Sequence, residues 1–265
     1  MCDFINFKDC YICYDEYNTR LMNIIDNKFR DEAKIIGASE YHIPALINHE
    51  VLKRCGYFSS FPQHLTIASY INPKNYWKVA EGNIITNEIA ILSDQYFTPA
   101  ACLHIYPMLE NEEIDKKIIT TKARVYRYEN SNFNGNTRLW DFTVREIVFI
   151  GNKDFVTEKL QYMKERAQEY ATDIGLPAKI ISATDNFYPA KKNTIKQKLQ
   201  ISNSLKYELV VSIDDNEVAI ASFNYHDLHF SKPFNFDNCG KIVTGCVGYG
   251  LERWVATLNS YNIIL

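Results

Sequence analysis

No run of eighteen or more apolar residues occurs in this 265-residue chain, so no segment reads as a membrane-spanning helix. No repeat, low-complexity tract or Pro/Gly/Ser-rich linker divides it. Positive charge is not in excess: 29 Lys and Arg stand against 32 Asp and Glu, for a net charge of -3. That balance removes the electrostatic case for general nucleic-acid binding. The first ten residues carry Asp3, Lys8 and Asp9 and lack the apolar segment of a secretory signal. Cysteine is present in an odd number, 7, scattered through a chain too long to need staples. Thiols used that way serve packing, metal or chemistry in a reducing compartment, so the expected location is cytoplasmic. The length suits a single domain, residues 1–265, with at most a modest insertion.

Apolar residues Leu21, Ile24, Ile25, Phe29, Ala33 and Ile36 recur at three- and four-residue steps and Gly37 follows, which predicts a helix over Tyr17–Ile36. It is read as an N-terminal extension, residues 1–36. Tyr41–Ile43 reads as a short strand ended by Pro44. Thr98-Pro99-Ala100-Ala101-Cys102 reads as a helix start with Thr98 as N-cap, placing Cys102 where a helix dipole favours a thiolate. Lys122–Glu129 and Arg138–Ile150 predict a long-looped hairpin, Asp154–Ala171 a helix, and Tyr207–Ile213 with Val218–Asn224 a second hairpin turned at Asp214-Asp215-Asn216. A helical insertion is expected at about 176–204. The strand–helix–strand rhythm of a parallel sheet is missing, so the expected class is α+β with a largely antiparallel sheet.

Three segments share one chemical logic. Arg127-Tyr128-Glu129 ends a strand, and Arg138, Phe142 and Glu146 follow on the return. An arginine clamps phosphate oxygens, a glutamate accepts the adenine amine and an aromatic ring stacks on the base, so these residues make an ATP site without a glycine-rich loop. The third segment, Gly245 to Arg253, runs glycines into an arginine ahead of the apolar helix Trp254–Leu258. Cys10-Tyr11-Ile12-Cys13 has half the spacing of a zinc site but no second pair, and reads as packing; His226 and His229 read as structural.

In combination these segments resemble motifs 2 and 3 of the class II aminoacyl-tRNA synthetases, and Tyr41 to Leu46 resembles their motif 1, which builds the dimer interface in that family. Thr98 to Cys102, His104 to Pro107, Val144 to Val148, Ala221 to His226 and Gly245 to Val247 narrow the likeness to seryl-type cores and the amino acid:[carrier protein] ligases. The resemblance implies a zinc ion on Cys102, Glu146 and Cys246 that receives the substrate amine, with Glu146 and Asn224 at the amino acid. Two thiolates and a carboxylate leave zinc a fourth, open position, as a substrate-binding centre requires. The resemblance also implies Arg127 at the α-phosphate, Glu129 at the adenine amine, Arg138 with the Leu139 backbone at the outer phosphates or base, and Phe142 on the adenine face. Arg253 then covers the opposite face or the γ-phosphate, Glu208 holds Mg2+, and Ser222, Phe223 and Asn224 line the pocket. Arg127 and Arg253 carry the catalytic charge.

No heptad pattern of a tRNA-binding coiled coil precedes Gly37. The expectation is therefore activation of a small amino acid, glycine or alanine, by ATP and transfer to the phosphopantetheine thiol of a carrier protein, with tRNA an unlikely acceptor and a homodimer as the working unit. Lys191, Lys192, Lys196 and Lys198 form a local basic cluster suited to an acidic carrier. Two rivals stay open: a tRNA-charging enzyme without an appended arm, and a non-catalytic paralogue that binds ligand or partner.

Overall fold

A computed structural model describes residues 5–7, 11–82, 85–128, 133–236 and 240–265. The chain runs β1 (Ile5–Phe7), β2 (Tyr11–Cys13), α1 (Glu16–Ile35), β3 (Ser39–Glu40), β4 (Leu46–Asn48), α2 (His49–Arg54), α3 (Tyr57–Ser60) and β5 (Ile67–Ile71). There follow α4 (Tyr76–Gly82), β6 (Ala90–Phe97), a 3-10 turn (Ala101–His104), α5 (Ile105–Met108), β7 (Lys117–Tyr126), β8 (Asp141–Gly151) and α6 (Lys153–Asp173). The remainder is β9 (Lys179–Ser182), α7 (Lys191–Ser202), β10 (Lys206–Ile213), β11 (Asn216–Asp227), β12 (Val243–Gly250) and α8 (Leu251–Ser260).

Seven strands make one sheet in the order β3-β7-β8-β12-β11-β10-β9, antiparallel throughout except the edge pair β3 and β7. The turn between β10 and β11 puts Asp214 and Asp215 at φ 47° and 63°, a left-handed pair that short polar side chains tolerate. A second sheet, β4-β6-β5, has no counterpart in the sequence expectations. Its burial pattern in β5 lacks the alternation that period-two reading needs.

Helices α1, α6 and α8 cover one face of the main sheet. The Asp15 carboxylate accepts the Asn18 backbone N–H at 2.8 Å and starts α1, and Gly37 at φ 86° ends it, with the Ala38 N–H returning to the Ala33 carbonyl. Leu21, Ile25, Phe29 and Ala33 then lie on one stripe, buried with Val156, Leu160, Met163 and Ala167 of α6 and with Trp254 and Leu258 of α8. Phe29 stacks on Tyr249 of β12 with ring centroids 3.6 Å apart. Arg145 of β8 is buried on this side and ion-paired to Asp26 of α1 at 2.7 Å and to Glu40 of β3 at 3.0 Å.

Two local expectations are corrected. The extended segment expected at Tyr41–Ile43 lies at Ser39–Glu40, where β3 pairs with Ile119 and Thr120, and Tyr41 adds only one N–H bond to Thr120. No helix starts at Pro99: the chain stays extended through Ala100 at φ -156°, because β6 runs straight into this segment, and the turn begins at Ala101. Thr98 caps nothing; its hydroxyl pairs with His104 Nε2 at 2.8 Å. Within residues 176–204 the chain forms an edge strand, β9, as well as the helix α7. No helix among the described residues is long and apolar enough to cross a membrane.

Candidate functional site

The sheet face opposite α1, α6 and α8 floors a cleft of about 750 Å³. Strand alternation decides which residues reach it, since successive side chains on a strand point to opposite faces. Register then aligns them into rungs. Glu208 pairs with Ser222, Ser222 with Gly248, Gly248 with Glu146, and Asn224 with Cys246. Six positions from β10, β11, β12 and β8 thus sit on two neighbouring rungs of one surface. Phe223, expected to line the pocket, lies between Ser222 and Asn224 and turns into the core edge-to-face against Tyr249.

At one end of the floor the donor atoms of Cys102, Glu146 and Cys246 lie within 4.8 Å of one another, all three residues buried. The Cys102 N–H donates to Glu146 Oε2 at 2.9 Å, so the 3-10 turn and β8 are held together at the trio. The dipole expected to lower the Cys102 thiol is outweighed. A hydrogen bond from Cys246 pulls that thiol down, but burial and the Glu146 carboxylate leave it raised. The Cys246 thiol is raised well above its ordinary value by its hydrogen bond to Cys102, by burial and by Glu146. A buried set of two thiols and a carboxylate is the donor chemistry of a soft divalent cation. Zinc would fit that donor set, held by Cys102, Glu146 and Cys246, all three of which line the cleft.

Three arginines also line the cleft. Arg127 directs Nε to the Pro99 carbonyl at 2.8 Å and lies over the Phe142 ring at 5.4 Å, so its fork is oriented before any ligand arrives. Arg253, in the first turn of α8, donates to the Thr137 carbonyl at 2.7 Å and the Ala219 carbonyl at 2.9 Å. Arg138, Leu139 and Phe142 line the same cleft, and Glu208 faces it from β10. Glu129 lies outside the described residues, as does Cys10. Of the three glycines of β12, only Gly245 serves close helix packing: a Cβ there would meet Val156 at 2.8 Å and Leu160 at 2.9 Å. Gly248 and Gly250 face the cleft and leave its floor flat.

Several lining residues were missed. Lys206 is ion-paired to Asp185 at 2.7 Å and Glu208 at 3.0 Å, and Lys196 turns inward to the Ser60 hydroxyl at 2.7 Å while Lys191, Lys192 and Lys198 stay exposed. His226, read as structural, reaches 3.6 Å from the Cys246 sulfur. Burial pushes its ring down to about 3, with His229 adding, so it is neutral. The period-two step Ser222, Asn224, His226 was the available signal for it.

The fold has counterparts among solved structures. In the structure of M. kandleri SerRS with A. aeolicus tRNASec, the match has a TM-score of 0.81 at 20% identity over 98% of this chain and 55% of that one. Giardia lamblia prolyl-tRNA synthetase matches with a TM-score of 0.70. The fold is that of the class II aminoacyl-tRNA synthetases. By sequence, the homologues are amino acid–[acyl-carrier-protein] ligases and type-2 serine–tRNA ligases. Amino acid–[acyl-carrier-protein] ligase 2 of Bradyrhizobium diazoefficiens is 29% identical over 257 residues, 91% of this chain and 73% of that protein. The type-2 serine–tRNA ligase of Methanocaldococcus jannaschii is 28% identical over 259 residues. This chain spans 50% of the length of that ligase. No protein-family model matches the chain.

Proposed function

We propose that the chain is a zinc- and ATP-dependent ligase that activates a small amino acid, glycine or alanine, as its aminoacyl-adenylate and passes it to the phosphopantetheine thiol of a carrier protein. The observation that carries this reading is the trio Cys102, Glu146 and Cys246 at the closed end of the cleft whose other end holds Arg127, Arg138 and Arg253. Zinc, when bound, supplies a Lewis-acidic position for the substrate amine. The protein's residues do the rest by placement. Asn224, beside Cys246, borders the amino acid, and Tyr106 and Phe230, stacked at 4.0 Å and buried near the trio, suit a small side chain. Arg127 neutralises the α-phosphate as the substrate carboxylate attacks in line, Arg253 covers the outer phosphates or base, Phe142 stacks on adenine, and Glu208 takes Mg2+ with ATP. No general base is required, because the carboxylate is already ionised; positioning and charge neutralisation supply the rate.

The carrier reading is supported by the names of the Bradyrhizobium relatives and by α7. Lys191, Lys192 and Lys198 are exposed there beside Ile195, Leu199 and Ile201, an apolar and cationic helix face at the cleft mouth. An acidic partner helix suits such a face. The reading takes residues 1–265 as one catalytic domain that works as a homodimer in the cytoplasm.

The test is amino-acid-dependent pyrophosphate exchange with the twenty amino acids, with and without chelator, followed by offering labelled adenylate to carrier protein and to tRNA. Exchange with glycine or alanine that chelation abolishes, and label on the carrier thiol, is the expected result. Background exchange in metal-replete protein overturns the enzymatic reading, and label on tRNA transfers the chain to the rival acceptor. Arg127→Ala should lower exchange by about 10²- to 10³-fold, the effect of removing one oriented donor from developing charge.

A further inference from the structure

We propose that His226 is a positioning residue for the metal centre, donating a hydrogen bond from Nε2 to the Cys246 thiolate without taking a ligand position itself. The inference rests on the reading of Cys102, Glu146 and Cys246 as metal ligands and deepens it.

Hydrogen bonding around the ring fixes which nitrogen carries the proton. Nδ1 faces two hydroxyls, Thr244 at 3.2 Å and Tyr106 at 3.4 Å, and Nε2 faces the Cys246 sulfur at 3.6 Å. Tyr106 is also hydrogen-bonded to the Cys102 side chain, and a metal-bound thiolate can only accept, so the single phenolic proton goes to Cys102. Cys246, as the other metal-bound thiolate, likewise only accepts, so the nitrogen that faces it, Nε2, carries the ring proton and Nδ1 accepts from the Thr244 hydroxyl. The remaining tautomer carries its proton on Nε2, aimed at sulfur. Each thiolate then receives a donor: Cys102 from Tyr106, and Cys246 from His226, with the Asn224 amide contributing at 3.8 Å. The ring stands outside the ligand set, since no histidine nitrogen among the described residues joins the group of donor atoms within 4.8 Å of one another.

The consequence is electronic. Two thiolates and a carboxylate overcompensate a divalent cation by one negative charge, which weakens its hold on a fourth donor. A hydrogen bond to sulfur withdraws part of that charge and keeps the open position receptive to an amine, and it holds the thiolate at a fixed angle.

The experiment uses the full chain and two readouts independent of activity. Zinc affinity is measured by competition with a chromophoric chelator, and the thiolate-to-cobalt charge-transfer band is recorded in the cobalt-substituted protein. His226→Phe fills the ring's space without a donor and is expected to lose about 10- to 100-fold in zinc affinity, the usual effect of removing an outer hydrogen-bond partner, and to shift the band to lower energy. His226→Gln carries an amide donor to the same region and should recover most of both. Thr244→Val leaves the ring in place and removes the hydroxyl that donates to Nδ1; a smaller shift of the same sign is expected and stands as the test if the Phe variant does not fold. Parent-like affinity and band in both His226→Phe and Thr244→Val overturn the proposal, as does a metal absorption spectrum in which the parent shows a histidine nitrogen that the Phe variant lacks. A parent chain that binds neither zinc nor cobalt overturns the metal reading beneath it, which is a separate result.

Discussion

The two faces of the seven-stranded sheet are made by the same strands, one residue out of step, and they treat buried charge in opposite ways. On the helical face Arg145 is compensated by Asp26 and Glu40 and the buried Glu32 by Lys28, within apolar packing among α1, α6 and α8. On the cleft face Cys102, Glu146 and Cys246 are brought together with no cationic side chain among their hydrogen-bond or ion-pair partners among the described residues. A paired buried charge is a structural feature, whereas a buried set of three acidic groups costs stability unless something positive binds. The difference teaches where to look for function: the face whose charges do not close locally.

Breaking each face should therefore have opposite signatures. Cys246→Ala is expected to reduce pyrophosphate exchange to background and to abolish tight zinc binding, while thermal unfolding of the chelated protein stays near the parent's. Zinc titration and exchange on one preparation check both halves; retained zinc stoichiometry would remove Cys246 from the ligand set. Arg145→Met should do the reverse. It leaves the buried Asp26 carboxylate only its partly exposed pair with Lys122 at 3.3 Å and is expected to cost up to about 3–5 kcal/mol in urea unfolding, with exchange per folded molecule unchanged. Phe29→Ala, a large-to-small change in the same core, falls in the same range of about 3–5 kcal/mol.

A finer comparison uses two glycines of β12, three residues apart and on opposite faces. Gly245→Ala drives a methyl into Val156, Leu160 and the Asn224 carbonyl, and overpacking of that kind costs about 1–3 kcal/mol. At Gly248 the nearest atom to an added Cβ is the Ser222 hydroxyl at 3.6 Å, an ordinary contact. Gly248→Ala should leave stability within about 0.5 kcal/mol and raise the KM for ATP or the amino acid instead. Equal stability losses at the two positions would show that the cleft floor is as closely packed as the core.

How much of this was legible beforehand follows from the same alternation. Strands β7, β8, β10, β11 and β12, the helix α6 and the cleft-facing placement of Glu146, Glu208, Ser222, Asn224 and Cys246 follow from period and motif, because both faces are strongly specified there. Phe223 was assigned to the pocket because its segment was taken whole rather than by alternate residues. The β4-β6-β5 sheet was missed for a different reason: Ile67, Tyr70 and Leu92 are exposed apolar residues, so the in-out contrast that marks a half-buried strand is absent. His226 was set aside because sequence spacing alone does not show that register places it beside Cys246. The inward turn of Lys196 depends on contacts with Ser60, far away in sequence, and no local pattern encodes it.

The smallest expected effect tests whether the cleft's outer wall behaves like the paired face or the unpaired one. Burial alone would raise the Asp185 carboxyl, but Lys206 beside it, with hydrogen bonds from Lys206 and Gln200 and the charge of Arg127, holds it below its ordinary value. A carboxyl whose folded value lies below its unfolded value of about 4 contributes stability that is fully present above about pH 5 and is lost as pH falls through the folded value. Lys206 is shifted the other way: burial lowers it, Asp185 and Glu208 raise it more, so its contribution persists through neutral pH and fades only on the alkaline side. The pair therefore behaves as a closed structural unit at neutrality that opens in acid. Because Gln200 of α7 also bonds Asp185, through its amide to Oδ2 at 2.7 Å, acid should loosen α7 before the helical face of the sheet responds. Amide hydrogen exchange from pH 7 down to about pH 2, through and below the ordinary carboxylate range, corrected for intrinsic rates, should show α7 losing protection ahead of α1 and α6, and Asp185→Asn should flatten that dependence. Parallel loss across α1, α6 and α7 would mean that the wall and the core unfold as one unit and that the Asp185 pair sets no local stability.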